Sequence, residues 1–290
     1  MAQSATYSGS NANIYQEEWK VKLQEELDEP TKFTEIMKVE YTTSNIIHNP
    51  YGTDMTVQSG TRGTPYTFQG YTRTDELLQI TNFKIAAQVI DRADLAQTTY
   101  NKQMELAQRQ GVLLKEAIES AIYADHANRT DFDNASIGGS AGSINVSPTN
   151  IDDIVRGLRR EIRQASGETL LNRYGGFIVW TSADMEILEA YMQANGYQEA
   201  DKALRDGSKQ GTYYGGFTHY SSELLTAEHV MAGVKNVYHL GILSSTWGDV
   251  VVDPYDPSLI SGISVVSRAD YGIKAWTKTK PVLFDVMVTA

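Results

Sequence analysis

Apolar positions between Asp91 and His126 recur at three- and four-residue steps: Met104, Ala107, Gly111, Leu114, Ile118 and Ala121. That spacing puts them on one helical face and leaves Glu105, Arg109, Lys115, Glu116 and Glu119 off it. The segment holds no Pro and a single Gly, so it predicts one uninterrupted helix. Asp91 can cap its first turn, and Asp94 complements the positive end of the dipole. At 1.5 Å per residue such a helix is roughly 50 Å long, well beyond the usual three or four turns. One apolar stripe along that length describes a strut packed against something flat. A coiled coil is the alternative, but the sustained heptads of a seam are missing. Gly111 costs about 1 kcal/mol against Ala in mid-helix, which points to a close backbone approach there.

Ahead of the helix the pattern changes several times. The first dozen residues are rich in Ser, Gly, Ala and Asn and read as a mobile tip. From Asn13 to Glu29, Tyr15, Trp19, Leu23 and Leu27 share one face of a short acidic helix that Pro30 stops. Too short to be stable alone, it needs a partner surface, in this chain or on a neighbouring subunit. Thr31 to Ile47 alternates like a strand, and Asn49-Pro50-Tyr51-Gly52 marks a turn. Between Thr53 and Thr74 large aliphatics nearly vanish. Met55, Val57, Tyr66, Phe68 and Tyr71 are spaced for two strands turning at Gly60-Thr61-Arg62-Gly63. A two-stranded ribbon without a core is marginal in water, and its edges need cover. Leu77 to Ile90 then reads as a buried strand through Ile80, Phe83, Ile85 and Val89.

After the helix comes a polar loop from Asn128 to Ser147 and then an alternating helix–strand region. Thr149 or Asn150 is expected to cap a helix through Ile151, Ile154, Val155, Leu158 and Ile162. Gly176 to Trp180 reads as a short buried strand. Thr181 with Asp184 resembles a capping box for a helix through Ile187, Leu188 and Tyr191. Further strands are expected at Tyr213–Tyr220, Val237–Ile242 and Val250–Val252, and the tail from Ile263 to Val288 is nearly all strand. No internal repeat is visible.

Composition narrows the function. The 290 residues carry a net charge of -11 without a dense basic cluster, which argues against tight sequence-specific nucleic-acid binding. Arg156, Arg159, Arg160 and Arg163 stand beside Asp152, Asp153 and Glu161, as on a solvated helix face. Cys is absent, so disulfides and thiolate metal sites are excluded. No apolar run is long enough to span a membrane, and the N-terminus lacks signal-peptide regions. Gly138-Gly139-Ser140-Ala141-Gly142 matches G-x-S-x-G formally, but a polar loop precedes it and no helical pattern follows. Asp131-x-Asp133 opens like a calcium loop, then loses its third ligand to Ala135 and has no closing Glu. No pair among the five His has zinc-ligand spacing, and neither dinucleotide nor Walker glycine loops occur. The reading therefore assigns no catalytic residue, no cofactor and no metal, and the chain reads as not an enzyme.

The order of these parts, with Ile90-Asp91-Arg92-Ala93-Asp94, Gly176-Phe177-Ile178-Val179-Trp180 and Tyr214-Gly215-Gly216-Phe217-Thr218 as local echoes, resembles the major capsid protein of tailed bacteriophages. This is the Hong Kong ninety-seven fold, shared with encapsulin nanocompartments. The resemblance covers essentially the whole chain through patterns rather than invariant signatures. It implies an α+β fold divided into an N-terminal arm (1–47), an extended loop (48–76), a peripheral domain with the spine helix (77–148), an axial α/β domain (149–254) and returning strands of the peripheral domain (255–290). It also implies self-assembly, as hexamers and pentamers, into an icosahedral shell around double-stranded DNA, without sequence-specific contacts. Scaffolding, decoration and portal proteins are the further partners it implies. The location implied is the virion, after synthesis in the host cytoplasm. An encapsulin-type cargo shell is the alternative, and an α/β enzyme acting through Ser140 a third.

Some relatives lock their shells by joining a Lys of the extended loop to an Asn of the next subunit. Here the loop has no Lys, only Arg62 and Arg73, and a guanidinium does not deprotonate to become a nucleophile. Subunit contacts are therefore expected to be non-covalent. The interface candidates are the stripe Tyr15, Trp19, Leu23 and Leu27 and the two ribbon cations Arg62 and Arg73. Only ninety residues precede the spine, so no N-terminal cleavage is expected and any scaffold is expected to be a separate protein.

Overall fold

The computed structural model describes residues 31–90, 102–137, 142–196, 212–247, 250–253 and 263–289. The chain enters with a helical turn, α1 (Phe33–Ile36), where strand alternation was expected, and continues into β1 (Lys38–Thr42), β2 (Ile46–Gly52), β3 (Arg73–Gln79) and β4 (Asn82–Ile90). The long helix α2 (Lys102–Tyr123) follows, and its expected first part, 91–101, lies outside the described residues. Next come β5 (Thr130–Asp131), α3 (Ile151–Gln164), α4 (Glu168–Tyr174), β6 (Gly176–Trp180), α5 (Ser182–Ala194), β7 (Thr212–Tyr214) and β8 (Phe217–Ser221). The last strands are β9 (His229–Val234), β10 (Tyr238–Leu243), β11 (Val250–Asp253), β12 (Ile263–Ala275) and β13 (Leu283–Met287).

Three sheets organise these elements. A six-stranded sheet runs β5-β13-β9-β6-β8-β7, with β6 at its centre. Phe177, Ile178, Val179 and Trp180 of β6 are all fully buried, as a continuous apolar strand covered on both faces should be. Helix α5 packs on this sheet and begins with the expected cap: Asp184 N–H donates to Thr181 Oγ1 at 3.3 Å, and that hydroxyl donates to Asp184 Oδ2 at 2.9 Å. At α3 the expected side-chain cap does not form. Asn150 occupies the N-cap position, but its Oδ1 accepts from Ser147 N–H and its Nδ2 donates to Asn145 O, so it fastens the preceding loop instead.

The second sheet runs β1-β10-β12-β11, with β4 also paired to β12 along its whole length. The thirteen-residue β12 is its organising strand, and α2 lies against β12 and β4. Gln110 staples helix to sheet: its Nε2 donates to Val265 O at 3.0 Å and its Oε1 accepts from Ser267 Oγ at 2.7 Å. Leu114, Ile118, Ile122 and Tyr123 of α2 are buried. Gly111 is not a close-approach site, since beyond its own helical turn nothing comes within 4 Å of where a side chain would start. Glu119, which the stripe placed off the apolar face, is fully buried. Its carboxylate accepts Lys32 N–H at 2.7 and 3.0 Å and the Tyr123 hydroxyl at 2.5 Å. A carboxylate thus supplies what the amide groups opening α1 lack.

Two boundaries differ from the expected segmentation. The folded body already begins within the segment read as an arm: Phe33, Ile36 and Met37 are buried, and β1 pairs in parallel with β10. The tail strands also divide between sheets, β12 joining β4 and β10 while β13 pairs antiparallel to β9 in the six-stranded sheet. Strand alternation carries no information about which sheet a strand joins, so this division was not readable.

Candidate subunit interface

The third sheet is the pair β2–β3, the base of a hairpin whose arms extend through residues 53–72. Beyond the base the backbone ladder stops and side chains take its place. Gln58 Nε2 donates to Thr67 O and Gln58 Oε1 accepts from Thr67 N–H; Gln69 does the same with Thr56, at 2.9 to 3.3 Å throughout. Thr53 Oγ1 accepts from Thr72 N–H at 3.0 Å. A glutamine amide has the donor and acceptor of a peptide group, so two Gln hold the arms together without a ladder. Gly63, at φ +88°, shapes the tip. This accounts for the abundance of Thr and Gln between Thr53 and Thr74.

Met55, Val57, Tyr66 and Phe68 alternate with these bridging residues, and they are 74–102% exposed. Tyr66 and Phe68 meet edge to face at 5.2 Å. Such a projecting apolar surface is uncommon on a monomer.

The hairpin base is held firmly. Leu78, Ile80 and Trp276 form a small separate core with Ile47 and Leu243. Leu78 seats against Gly241 and Gly272, which are register partners in β10 and β12. A side chain on Gly272 would run into the Gln79 carbonyl. Polar contacts add a clamp: Lys278 Nζ reaches both Asp54 carboxylate oxygens at 2.9 Å, and Thr277 N–H and Oγ1 donate to the Glu76 carboxylate. Lys278 also lies over the Tyr51 ring at 5.3 Å. These are ordinary polar residues about two hundred positions apart, so no sequence signal marks them.

A second apolar surface lies on β4. Phe83, Ile85 and Val89 were expected inside; they are 51–56% exposed, as is Val251 of β11. Their register through β12 puts them on one face, opposite the face that α2 covers. The apolar alternation is real but the burial assigned to it is not observed, because alternation marks a one-sided apolar strand without saying whether its own subunit covers that face.

The expected interface residues fall in two groups. Tyr15, Trp19, Leu23 and Leu27 lie outside the described residues, as does Ser140. Arg62 and Arg73 are exposed on the ribbon. Asp133, read as a fragment of a calcium loop, accepts the Ala135 N–H in a local turn.

Comparison with known proteins bears on this architecture. No family model and no curated protein matches the sequence. Solved structures do match in shape over nearly the whole chain. A protein of Mycobacterium phage Che8 shares 17% identity at TM-score 0.70, with 95% of this chain and 97% of that one covered. The capsid of Ralstonia phage GP4 shares 12% at TM-score 0.67, covering 100% and 99%. The capsid of an empty GTA particle shares 13% at TM-score 0.72, covering 100% of both. The fold is that of phage capsid proteins. A virus-like particle from Pyrococcus furiosus is a weaker likeness, with 12% identity at TM-score 0.51 over 89% of this chain and 92% of that one.

His219 is fully buried; Trp180 Nε1–H donates to its Nδ1 at 2.8 Å, and Nε2 lies 3.1 Å from Tyr214 O. Burial lowers its pKa to about 4, so it stays neutral as an acceptor–donor bridge. Arg129 and Asp285 form a buried ion pair at 3.1 Å that sequence reading did not single out. No helix among the described residues is long and apolar enough to cross a membrane.

Proposed function

We propose that this chain is the shell-forming subunit of a phage-type capsid, which closes by head-to-tail contacts between copies into an icosahedral container for double-stranded DNA. The observation that carries the reading is the ribbon of residues 53–72, which projects five large hydrophobic side chains, Met55, Val57, Tyr66, Phe68 and Tyr71, from a body that does not cover them. The exposed face of β4 and β11 supplies a surface of matching chemistry, and repetition around closed rings turns modest contacts into large avidity. In this reading the residues ahead of Phe33 act as an arm, 48–76 as the extended loop, 77–148 with β12 as the peripheral domain and 149–254 with β13 as the axial domain. Hexamers and pentamers are its units, scaffold, decoration and portal proteins its partners, and catalysis no part of its role. The subunit would be made in the host cytoplasm and end in the virion. Net charge of -11 suits a container more than a DNA binder.

Two expectations follow for the shell. Trp19→Ala is expected to leave a subunit with unchanged circular dichroism and impaired assembly, because burying Trp19 on a neighbour contributes a few kcal/mol, about 2–3 by area. An unfolded monomer would instead assign Tyr15, Trp19, Leu23 and Leu27 to the subunit's own core. Particles boiled in detergent are expected to give one band near 32.2 kDa, since Cys is absent and the loop carries Arg62 and Arg73 but no Lys. A ladder of covalent oligomers would refute non-covalent closure.

The alternative is an encapsulin-type shell, favoured by the likeness to the Pyrococcus furiosus virus-like particle. An enzyme that co-purifies inside the particles would decide for it; packaged DNA would decide against it.

A further inference from the structure

The fold brings together two histidines that are far apart in sequence. His126 opens the 3-10 turn His126–Asn128 that follows α2, His229 opens β9, and Asp285 sits mid-strand in β13. The imidazoles stack, with centroids 3.9 Å apart and planes at 26°. Both turn Nδ1 toward one carboxylate: His229 lies 2.6 Å from Asp285 Oδ2 and His126 lies 3.3 Å from Oδ1. The carboxylate is buried, while the two rings are 30% and 22% exposed, so solvent reaches the cluster from the imidazole side. Arg129 Nη1 donates to Oδ1 at 3.1 Å and fixes the carboxylate in its plane. Oδ2 carries no arginine contact among the described residues.

We propose that His126, His229 and Asp285 form a binding site for a divalent transition-metal ion of the zinc type, held by the two Nδ1 atoms and Oδ2, with water completing the shell. One ligand atom from each residue lies within 4.8 Å of the others. Tetrahedral zinc, with bonds of about 2.0–2.2 Å, sets its ligand atoms roughly 3.3–3.6 Å apart. To reach that geometry His229 Nδ1 must withdraw from Oδ2 by about 1 Å, and the stacked His126 ring, whose Nδ1 now lies 3.3 Å from Oδ1, must splay to turn Nδ1 toward Oδ2. An ion there takes the place of the two Nδ1 protons that now point at the carboxylate. Two imidazoles and one carboxylate, without thiolate, select zinc, cobalt, nickel or copper over calcium and magnesium. The site would tie the end of the long helix to two strands of the six-stranded sheet. Local spacing could not reveal it, because 159 and 56 residues separate Asp285 from the two histidines.

The test is a zinc titration of the purified full chain against a chromogenic chelator, with melting temperature as a second readout. Wild type is expected to bind one Zn2+ per chain and to melt at higher temperature with the metal. His126→Ala and His229→Gln are expected to weaken binding at least about tenfold, the effect even an outer-shell change produces, and to lose the zinc-dependent shift. His229→Gln keeps an N–H donor for Asp285 and so the fold, checked by circular dichroism. His48→Ala, which alters a histidine paired with Asp75 on the hairpin base, is expected to bind as wild type does. Absence of binding by folded wild type, undiminished binding by His229→Gln, or loss of binding in His48→Ala overturns the proposal.

Discussion

Arg129→Met is expected to lower the unfolding free energy of the subunit by about 3–5 kcal/mol, the range for breaking one side of a buried ion pair. Arg129 is 1% exposed at its side chain and Asp285 is 3% exposed. The guanidinium spans two elements at once: Nη1 holds Asp285 in β13, and Nη2 donates to the Ile122 and Tyr123 carbonyls at the end of α2. Ile122 O keeps the Asp125 N–H at 3.2 Å, but Tyr123 O, in the last turn where carbonyls lack α-helical donors, loses its guanidinium donor, and Asp285 is left without its cation. Arg129→Lys is expected to recover less than half of the loss, because an ammonium lacks the planar fork that reaches both partners. Urea unfolding of the dissociated subunit gives the number. A loss under about 1 kcal/mol, as for an exposed pair, would show that the cluster is not what joins helix to sheet.

The second large effect is expected on assembly and not on folding. Val57→Asp with Phe68→Asp puts two charges on the ribbon where both native side chains are almost wholly exposed. In the isolated subunit only the exposed Tyr66–Phe68 edge contact is lost, since no core includes Val57 or Phe68, and the Gln58 and Gln69 bridges leave the hairpin closed. Against a neighbour, each buried apolar side chain of this size contributes about 1.5–3 kcal/mol, and an unpaired buried carboxylate opposes contact further. The same loss recurs at every copy around a shell, so the double variant is expected to remain a folded, monodisperse subunit at concentrations where wild type assembles. Particles of normal size and yield would place the ribbon outside the interface. A drop in melting temperature of the unassembled subunit would place it in the monomer's own core.

Much of this architecture was legible because local chemistry determined it. The apolar run Phe177–Trp180 had to be a central strand, the Thr181–Asp184 pair had to start a helix, and the stripe through Leu114 and Ile118 had to face a sheet. The ribbon's turn near Gly60–Gly63 was legible, but its paired strands lie at its base, in β2, where Asn49–Gly52 read as a turn, and in β3. Three features were not legible. Phe83, Ile85 and Val89 have the pattern of a buried face, and the chain that covers such a face is not written in the pattern. Glu119 is charged and fell off the stripe, yet it is buried because the backbone opening α1 needs an acceptor there. His126, His229, Arg129 and Asp285 meet through the pairing of β13 with both β9 and β5, long-range choices that strand periodicity does not encode.

The central claim is closure of many copies through surfaces that one copy leaves exposed, and negative-stain electron microscopy of the purified, concentrated protein tests it most directly. Closed shells of uniform diameter are expected, and they should disappear in the Val57→Asp, Phe68→Asp variant. A wild-type protein that stays a 32.2 kDa monomer under the same conditions, with its ribbon still exposed, would contradict the assignment.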